Sequence, residues 1–416
     1  MKLKSSNEAC PNKGPSFLSI GGSIFAMFFG AGNIVFPLAL GYHCHAHPWF
    51  ACFGMILTAV CVPLLGLLSM LLYSGDYSSF FASIGKIPAM ILTIAILCLI
   101  GPFGGIPRAI AVSHATLASL SDTPPTLLPN LPIYSLISCV LIYVFACKLS
   151  RLVQWLGTVF FPVMLFSLLW IIIRGFFISA HPSIVVSTIN SKQAWLTGFI
   201  EGFNTMDLLA AFFFCSIVLI SLRQMMAQEK TNGSSEEEEE TPLNFQRISK
   251  KNKRSIILGF FLSTILLSLT YLSFALCASR HAGLLTNVSK GHILGKISII
   301  ALGPNSILTG TSVFIACLTT EIALVGIIAD FCARIIASKK LTYSLAVVLT
   351  LIPTYLISIL NFENISLLLL PLLQLCYPAL IALTCGSIAY KLWNFRHVRA
   401  LFYLTLSLTV ILRLMN

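Results

Sequence analysis

Two short polar stretches interrupt otherwise apolar sequence: Gly30-Ala31-Gly32-Asn33, inside the run 17–41, and Glu201-Gly202-Phe203-Asn204-Thr205-Met206-Asp207, inside 194–222. Glycines and an amide side chain at the middle of an apolar helix free backbone N–H and C=O groups, which hydrocarbon tolerates only where the chain lines a polar cavity. Freed amides hold a carboxylate, and freed carbonyls with the Asn33 oxygen hold a hard cation. In the second stretch Asn204, Thr205 and Asp207 fall within four residues, and a carboxylate at membrane depth is costly enough to mark a functional position. Glu201 reads equally well as a solvated group near the outer surface. A third stretch, Ala316-Cys317-Leu318-Thr319-Thr320-Glu321, sets two adjacent hydroxyls beside an acid. Such oxygens replace water around a small cation, although each threonine can also bond back to the preceding turn. Asp207 and Glu321 are the candidates for a proton or coupling site.

The elements that must hold these residues are membrane helices. The chain is 57% hydrophobic with a mean hydropathy of +0.91, and only 10% of its residues are charged. Soluble domains carry about a quarter. Eleven apolar segments are legible, at 17–41, 49–73, 87–119, 131–147, 152–174, 194–222, 255–278, 304–330, 341–360, 364–390 and 398–414. None shows the alternating polarity of a membrane barrel strand, so the expected fold is an all-α polytopic membrane protein with about eleven transmembrane helices. The first and sixth segments are both broken. Matching breaks five segments apart point to two inverted five-helix repeats with a site at the membrane midplane. The expected domains are a cytoplasmic tail (1–16), a first repeat (17–174), a second repeat (194–390) and an additional C-terminal helix (398–414). The second repeat contains a disordered cytoplasmic loop at 228–253 with the acidic run Glu236 to Glu240 and the basic patch Lys250 to Arg254.

The net charge of +12 is topological and does not indicate a nucleic-acid partner. Of the twenty-six Lys and Arg residues, six (Arg174, Lys192, Arg280, Lys290, Lys296 and Arg413) fall in outer segments. Arg108 lies within the third segment, and the other nineteen fall in cytoplasmic ones. This bias places the N-terminus in the cytoplasm and the C-terminus outside. Thirteen cysteines, without a C-x-x-C, read as packing residues. The loop Tyr42-His43-Cys44-His45-Ala46-His47 has no ligand spacing that fits a regular element and reads as a polar hinge. Arg108, beside Pro102 and Pro107, reads as part of a structural ion pair or of the outer vestibule.

These stretches resemble the branched-chain amino acid:cation symporters, the bacterial system II carriers for leucine, isoleucine and valine. The residues that carry the resemblance are Phe28 to Pro37, Gly101-Pro102 with Pro107-Arg108, Glu201 to Asp207, and Ala316 to Thr320. It implies the leucine-transporter-type fold, no enzymatic activity, no cofactor, and Na⁺ as coupling ion in a bacterial cytoplasmic (inner) membrane. The partners would be an amino acid substrate, Na⁺ and the bilayer, with no oligomeric state implied. It also implies a sodium site formed by the carbonyls of Ala26, Phe29 and Ala316 and the hydroxyls of Thr319 and Thr320. A second cation would sit near Asn33, with Asn204 or Thr205 as its partner in segment six. The substrate would lie between Ala31, Gly32 and Asn33 on one side and Phe203, Asn204, Thr205 and Met206 on the other. Two features depart from that family. The chain ends after its eleventh segment where twelve are usual, and Glu321 replaces a small apolar residue. A carboxylate there leaves open a proton-coupled symporter or exchanger of the same fold, and a receptor that binds an amino acid without moving it is the alternative from another class.

Overall fold

The computed structural model describes residues 16–120, 130–147, 161–179, 189–231, 250–335 and 342–415. Seventeen α-helices occur among the described residues, which contain no strand. In chain order they are α1 (Phe17–Phe28), α2 (Ala31–His43), α3 (Pro48–Ile56), α4 (Val62–Leu72), α5 (Tyr77–Phe81), α6 (Lys86–Ile100), α7 (Gly105–Ala118), α8 (Leu131–Ala146) and α9 (Phe161–Phe177). After these come α10 (Ser191–Glu201), α11 (Asp207–Thr231), α12 (Lys250–Arg280), α13 (Ile293–Leu302), α14 (Ile307–Ile335), α15 (Tyr343–Ser358), α16 (Asn361–Trp393) and α17 (Val398–Met415).

Each of the eleven apolar segments, over its described residues, coincides with a helix or with two consecutive helices. By length and apolarity six helical stretches qualify as membrane spans, and two bent pairs bring the number to eight. The bends are the breaks expected from sequence: α1 and α2 meet at 72°, and α10 with its following turn meets α11 at 41°. Helices α8 and α15 are apolar but shorter. The polar stretch 228–253 is helical at both ends, because α11 runs on to Thr231 and α12 begins at Lys250. Its middle, 232–249, the tail 1–15 and the start of the fifth segment at 152–160 lie outside the described residues.

What holds the site is the packing of the bent pairs on two long neighbours. Both halves of the first pair lie against α12, while α10 lies against α3 and α11 against α4. Small residues let these backbones approach. A Cβ on Gly41 would stand 2.0 Å from the Ala275 carbonyl oxygen of α12, and one on Gly198 would stand 1.9 Å from the Ala51 carbonyl oxygen of α3. Between α3 and α4 the chain takes a π-helical turn, Leu57–Cys61. Pro63 follows and cannot donate to the carbonyl of Ala59, which loosens this turn. The Thr58 hydroxyl in it donates to Phe199 O at 2.9 Å, tying it to the end of α10.

The outer faces of the helices carry exposed Leu, Ile, Phe and Trp, among them Phe53, Ile87, Leu356 and Leu404. That is the surface a bilayer covers. The buried charged side chains among the described residues are Arg108, Asp207 and Glu321.

Candidate functional site

Helix α1 ends at Phe28, and Gly30 is extended (φ −121°, ψ −165°) before α2 begins. The N–H groups of the first turn of α2 have no acceptor within the helix. Asn33, three residues after Gly30, folds its side chain back so that Oδ1 accepts from Gly30 N at 3.2 Å, the reciprocal half of a capping box. Pro37 in the same helix lacks the N–H that the Asn33 carbonyl would otherwise receive. The first break therefore presents backbone donors and acceptors together.

The second break is a 3₁₀ turn, Gly202–Thr205, closed by Met206 in the left-handed region (φ 63°). A side chain held in that conformation costs of order 1–3 kcal/mol and persists only where its surroundings demand it. Here it reverses the chain so that Asp207 begins α11, where the positive end of the helix dipole favours a carboxylate. Asp207 is 3% exposed. Its Oδ1 and Oδ2 accept from Asn33 Nδ2 at 3.0 and 2.8 Å, and Oδ2 also accepts from the Tyr271 hydroxyl of α12 at 2.7 Å. Asn33 Nδ2 and the Tyr271 hydroxyl are hydrogen-bonded as well. One buried cluster thus clamps the two breaks to each other and to α12.

A cavity of about 50 Å³ opens between them. Its polar wall is Gly30, Gly32, Asn33, Arg108, Thr205, Asp207 and Thr320, and its apolar wall includes Met27, Phe28, Ala31, Ile100, Met206, Phe214 and Leu324. The two breaks approach closely at Gly32, whose added Cβ would lie a tight 3.3 Å from Thr205 Cα and O. Across the cavity the Thr320 hydroxyl of α14 lies 3.5 Å from Phe29 O and 3.2 Å from Ala316 O. The Thr319 hydroxyl donates to Ala316 O at 2.9 Å. Four of the five oxygens expected at the first cation site therefore converge, and Ala26 is buried in the same helix α1.

Of the residues expected at the substrate, Ala31, Gly32, Asn33, Thr205 and Met206 line the cavity, whereas Phe203 and Asn204 do not. The Phe203 ring packs on Tyr377 at 4.8 Å and on Phe199 at 5.3 Å. The Asn204 amide donates to Glu201 Oε2 at 2.8 Å. Glu201 is half-buried and paired with Lys290 at 3.0 Å, and the Lys290 backbone N–H donates to Glu363 at 2.9 Å. This cluster joins α10 to the 3₁₀ turn Lys290–His292 and to α16. Nearby, burial and the Glu201 charge push the Cys44 thiol up to about 11. Glu321 is buried but absent from the cavity wall. One residue past Thr320, it sits about 100° round the helix from it.

Two residues of the candidate site are not legible as such in the sequence. Tyr271 looks like one more bulky residue of an apolar helix. Arg108 was placed in an ion pair or the vestibule, yet it is 3% exposed and lines the cavity. The polar hinge 42–47 holds no group of three metal-ligating side chains among the described residues, and His45 Nδ1 bonds to Tyr42 O at 3.0 Å.

Residues 13–416 match the family model described as branched-chain amino acid transport protein. The chain belongs to that family. Among similar proteins, the branched-chain amino acid permease BraB of Bacillus subtilis is 27% identical over 381 residues, 91% of this chain and 80% of that protein. The branched-chain amino acid permease BrnQ of Escherichia coli is 26% identical over 91% of this chain and 81% of its own length. The fold is similar to the inward-facing conformation of Mhp1, a nucleobase-cation-symport-1 family transporter, with a TM-score of 0.60 at 13% identity over 94% of this chain and 82% of that one. A manganese transporter of Eremococcus coleocola aligns at a TM-score of 0.57 and 15% identity over 100% of this chain and 90% of that one. This member of the branched-chain amino acid transport protein family is thus a multi-pass membrane transporter and not an enzyme.

Proposed function

We propose that the protein imports leucine, isoleucine and valine together with Na⁺ across a bacterial cytoplasmic membrane, by alternating access around the cavity between the two helix breaks. The observation that carries this reading is the convergence at one cavity of Gly30–Asn33, Thr205–Asp207 and Thr320. The broken helices supply backbone polar groups to a zwitterion at membrane depth, and Met27, Phe28, Ile100 and Phe214 offer an apolar wall for a branched side chain. A volume of about 50 Å³ is room for a few waters, so an aliphatic amino acid enters only when the walls part. The carbonyls of Phe29 and Ala316 and the hydroxyls of Thr319 and Thr320, with Ala26 nearby, would hold Na⁺ once the threonines turn from their present acceptors. A second ion at Asn33 would compete with the Asp207–Tyr271 cluster.

The inverted-repeat reading gains support from the pattern of contacts. Exchanging spans one to five with six to ten carries the packing of α1 and α2 on α12 into that of α10 on α3 and α11 on α4. It likewise carries α8 on α14 into α15 on α7, and α9 on α14 into α16 on α7. With eleven spans and the Lys and Arg bias, the N-terminus is cytoplasmic and the C-terminus outside.

One Na⁺ is an adequate drive. A membrane potential of about 100 mV supplies roughly 2.3 kcal/mol per charge, and a tenfold gradient adds about 1.4 kcal/mol, together enough for several hundredfold accumulation. A specific observation favours proton coupling as second reading: the Asp207 carboxylate lies on the cavity wall, whereas Glu321 does not. Binding of labelled isoleucine to purified protein separates the two. Tighter binding in NaCl than in choline chloride, with the difference lost in Thr320→Ala, is the expected result. Equal binding in both salts rejects Na⁺ coupling and turns attention to Asp207.

A further inference from the structure

Arg108 is a fixed charge in a place where charge is expensive. It sits in the first turn of α7, 3% exposed, with no carboxylate within ion-pair distance among the described residues. Its Nη1 donates to Asn204 O at 3.0 Å, the guanidinium lies 5.3 Å from the centre of the Phe36 ring, and the buried Nε has no acceptor. The guanidinium has five N–H donors, so most of its bonding capacity is unused at the cavity wall. Asp207, the nearest carboxylate of the site, is held by Asn33 and Tyr271 instead. A guanidinium buried at membrane depth is satisfied by an anion or by backbone carbonyls, of which Arg108 has one, and a carboxylate that fits its fork accepts two parallel hydrogen bonds.

We propose that Arg108 is the anchor for the α-carboxylate of the substrate, an inference that rests on the amino-acid reading of the cavity. Gly32 of the first break lies directly beside this arginine: a Cβ there would stand in ordinary contact, 3.6 Å from Arg108 Nη2. The carboxylate bridges the guanidinium and the free amides of the first turn of α2, and the ammonium faces Asp207. The side chain lies against Phe28, Ile100 and Phe214. One cation and one anion across a small cavity match a zwitterion and reject an amine or a carboxylic acid alone. The bond from Arg108 to Asn204 O further links carboxylate binding to the geometry of the second break.

The test compares dissociation constants for L-isoleucine and isoleucinol, which keeps the side chain and the ammonium but has no carboxylate. Both are measured on the purified full-length protein. Removing one partner of a buried hydrogen-bonded charge pair weakens binding by at least about 30-fold, so wild type prefers isoleucine by about that factor or more. Arg108→Met weakens isoleucine to the level of isoleucinol, so that the preference between the two ligands is lost. Arg108→Lys keeps the charge but not the fork, so it protects the fold, and it loses about tenfold in isoleucine binding alone. A merely structural arginine would weaken both ligands by one factor in both variants, and that result, or unchanged isoleucine binding, overturns the proposal. Wild-type protein that binds neither ligand overturns the amino-acid reading itself and the role of Arg108 with it.

Discussion

Asn33 joins the two breaks because one amide faces both ways: its oxygen caps Gly30 and its nitrogen holds Asp207. Tyr271 completes the cluster from α12, so Tyr271→Phe removes one donor from a buried carboxylate. The expected cost is about 1–3 kcal/mol, seen as a lower unfolding temperature for purified protein, with Asn33→Ala showing a similar loss. Cys44 gives a pH prediction. Its thiol, 1% exposed and pushed up to about 11, holds on the order of a ten-thousandth of its population as thiolate near neutral pH. Its reaction with a thiolate-directed disulfide reagent should be very slow at pH 7.5 and should rise about tenfold per pH unit toward that value. At this scale the sequence reveals residues that are costly in lipid, namely Gly30 to Asn33 and Asp207. It does not reveal which way they face. Arg108 follows two prolines that upset the helical phase, and Tyr271 sits in a helix apolar all round, so neither position has a polar stripe to orient it.

At the scale of elements, helix positions were legible because a span needs about 20 apolar residues, and the breaks because glycine and polar residues interrupt that run. The π turn at Leu57–Cys61 was not, since Pro63 marks a weakened turn without saying how the backbone repairs it. Polarity also misled at the ends of 228–253, where residues such as Gln228, Glu229 and Lys230 are good helix formers and α11 continues through them. Helix pairing depends on small residues whose partners sequence does not name. Gly198→Ala should drive a methyl into the Ala51 carbonyl and part α10 from α3. Overpacking of this kind costs about 1–3 kcal/mol. Purified Gly198→Ala should therefore unfold at a lower temperature than wild type, and an unchanged temperature would mean that the two helices are not in such close contact.

At the scale of the whole molecule, the described helices pack so that the cavity lies between the two broken helices, with Arg108 of α7 and Thr320 of α14 on its wall. The polar cluster Glu201–Lys290–Glu363 ties α10, the 290–292 turn and α16 at one end, while the Asn33–Asp207–Tyr271 cluster ties the breaks in the middle. Lys and Arg placement along the chain gives an expected topology, whereas the long-range meeting of residues 33, 108, 207 and 271 arises only from packing. Selectivity within the branched-chain group should be shallow, because one methylene in an apolar pocket is worth about 1–3 kcal/mol. The most direct measurement is accumulation of labelled isoleucine in proteoliposomes that contain only this protein, under an inward Na⁺ gradient and under K⁺ in its place. Uptake above equilibrium with Na⁺ alone, abolished in Thr320→Ala, is the predicted result; equal uptake in K⁺, or none in either, would contradict it.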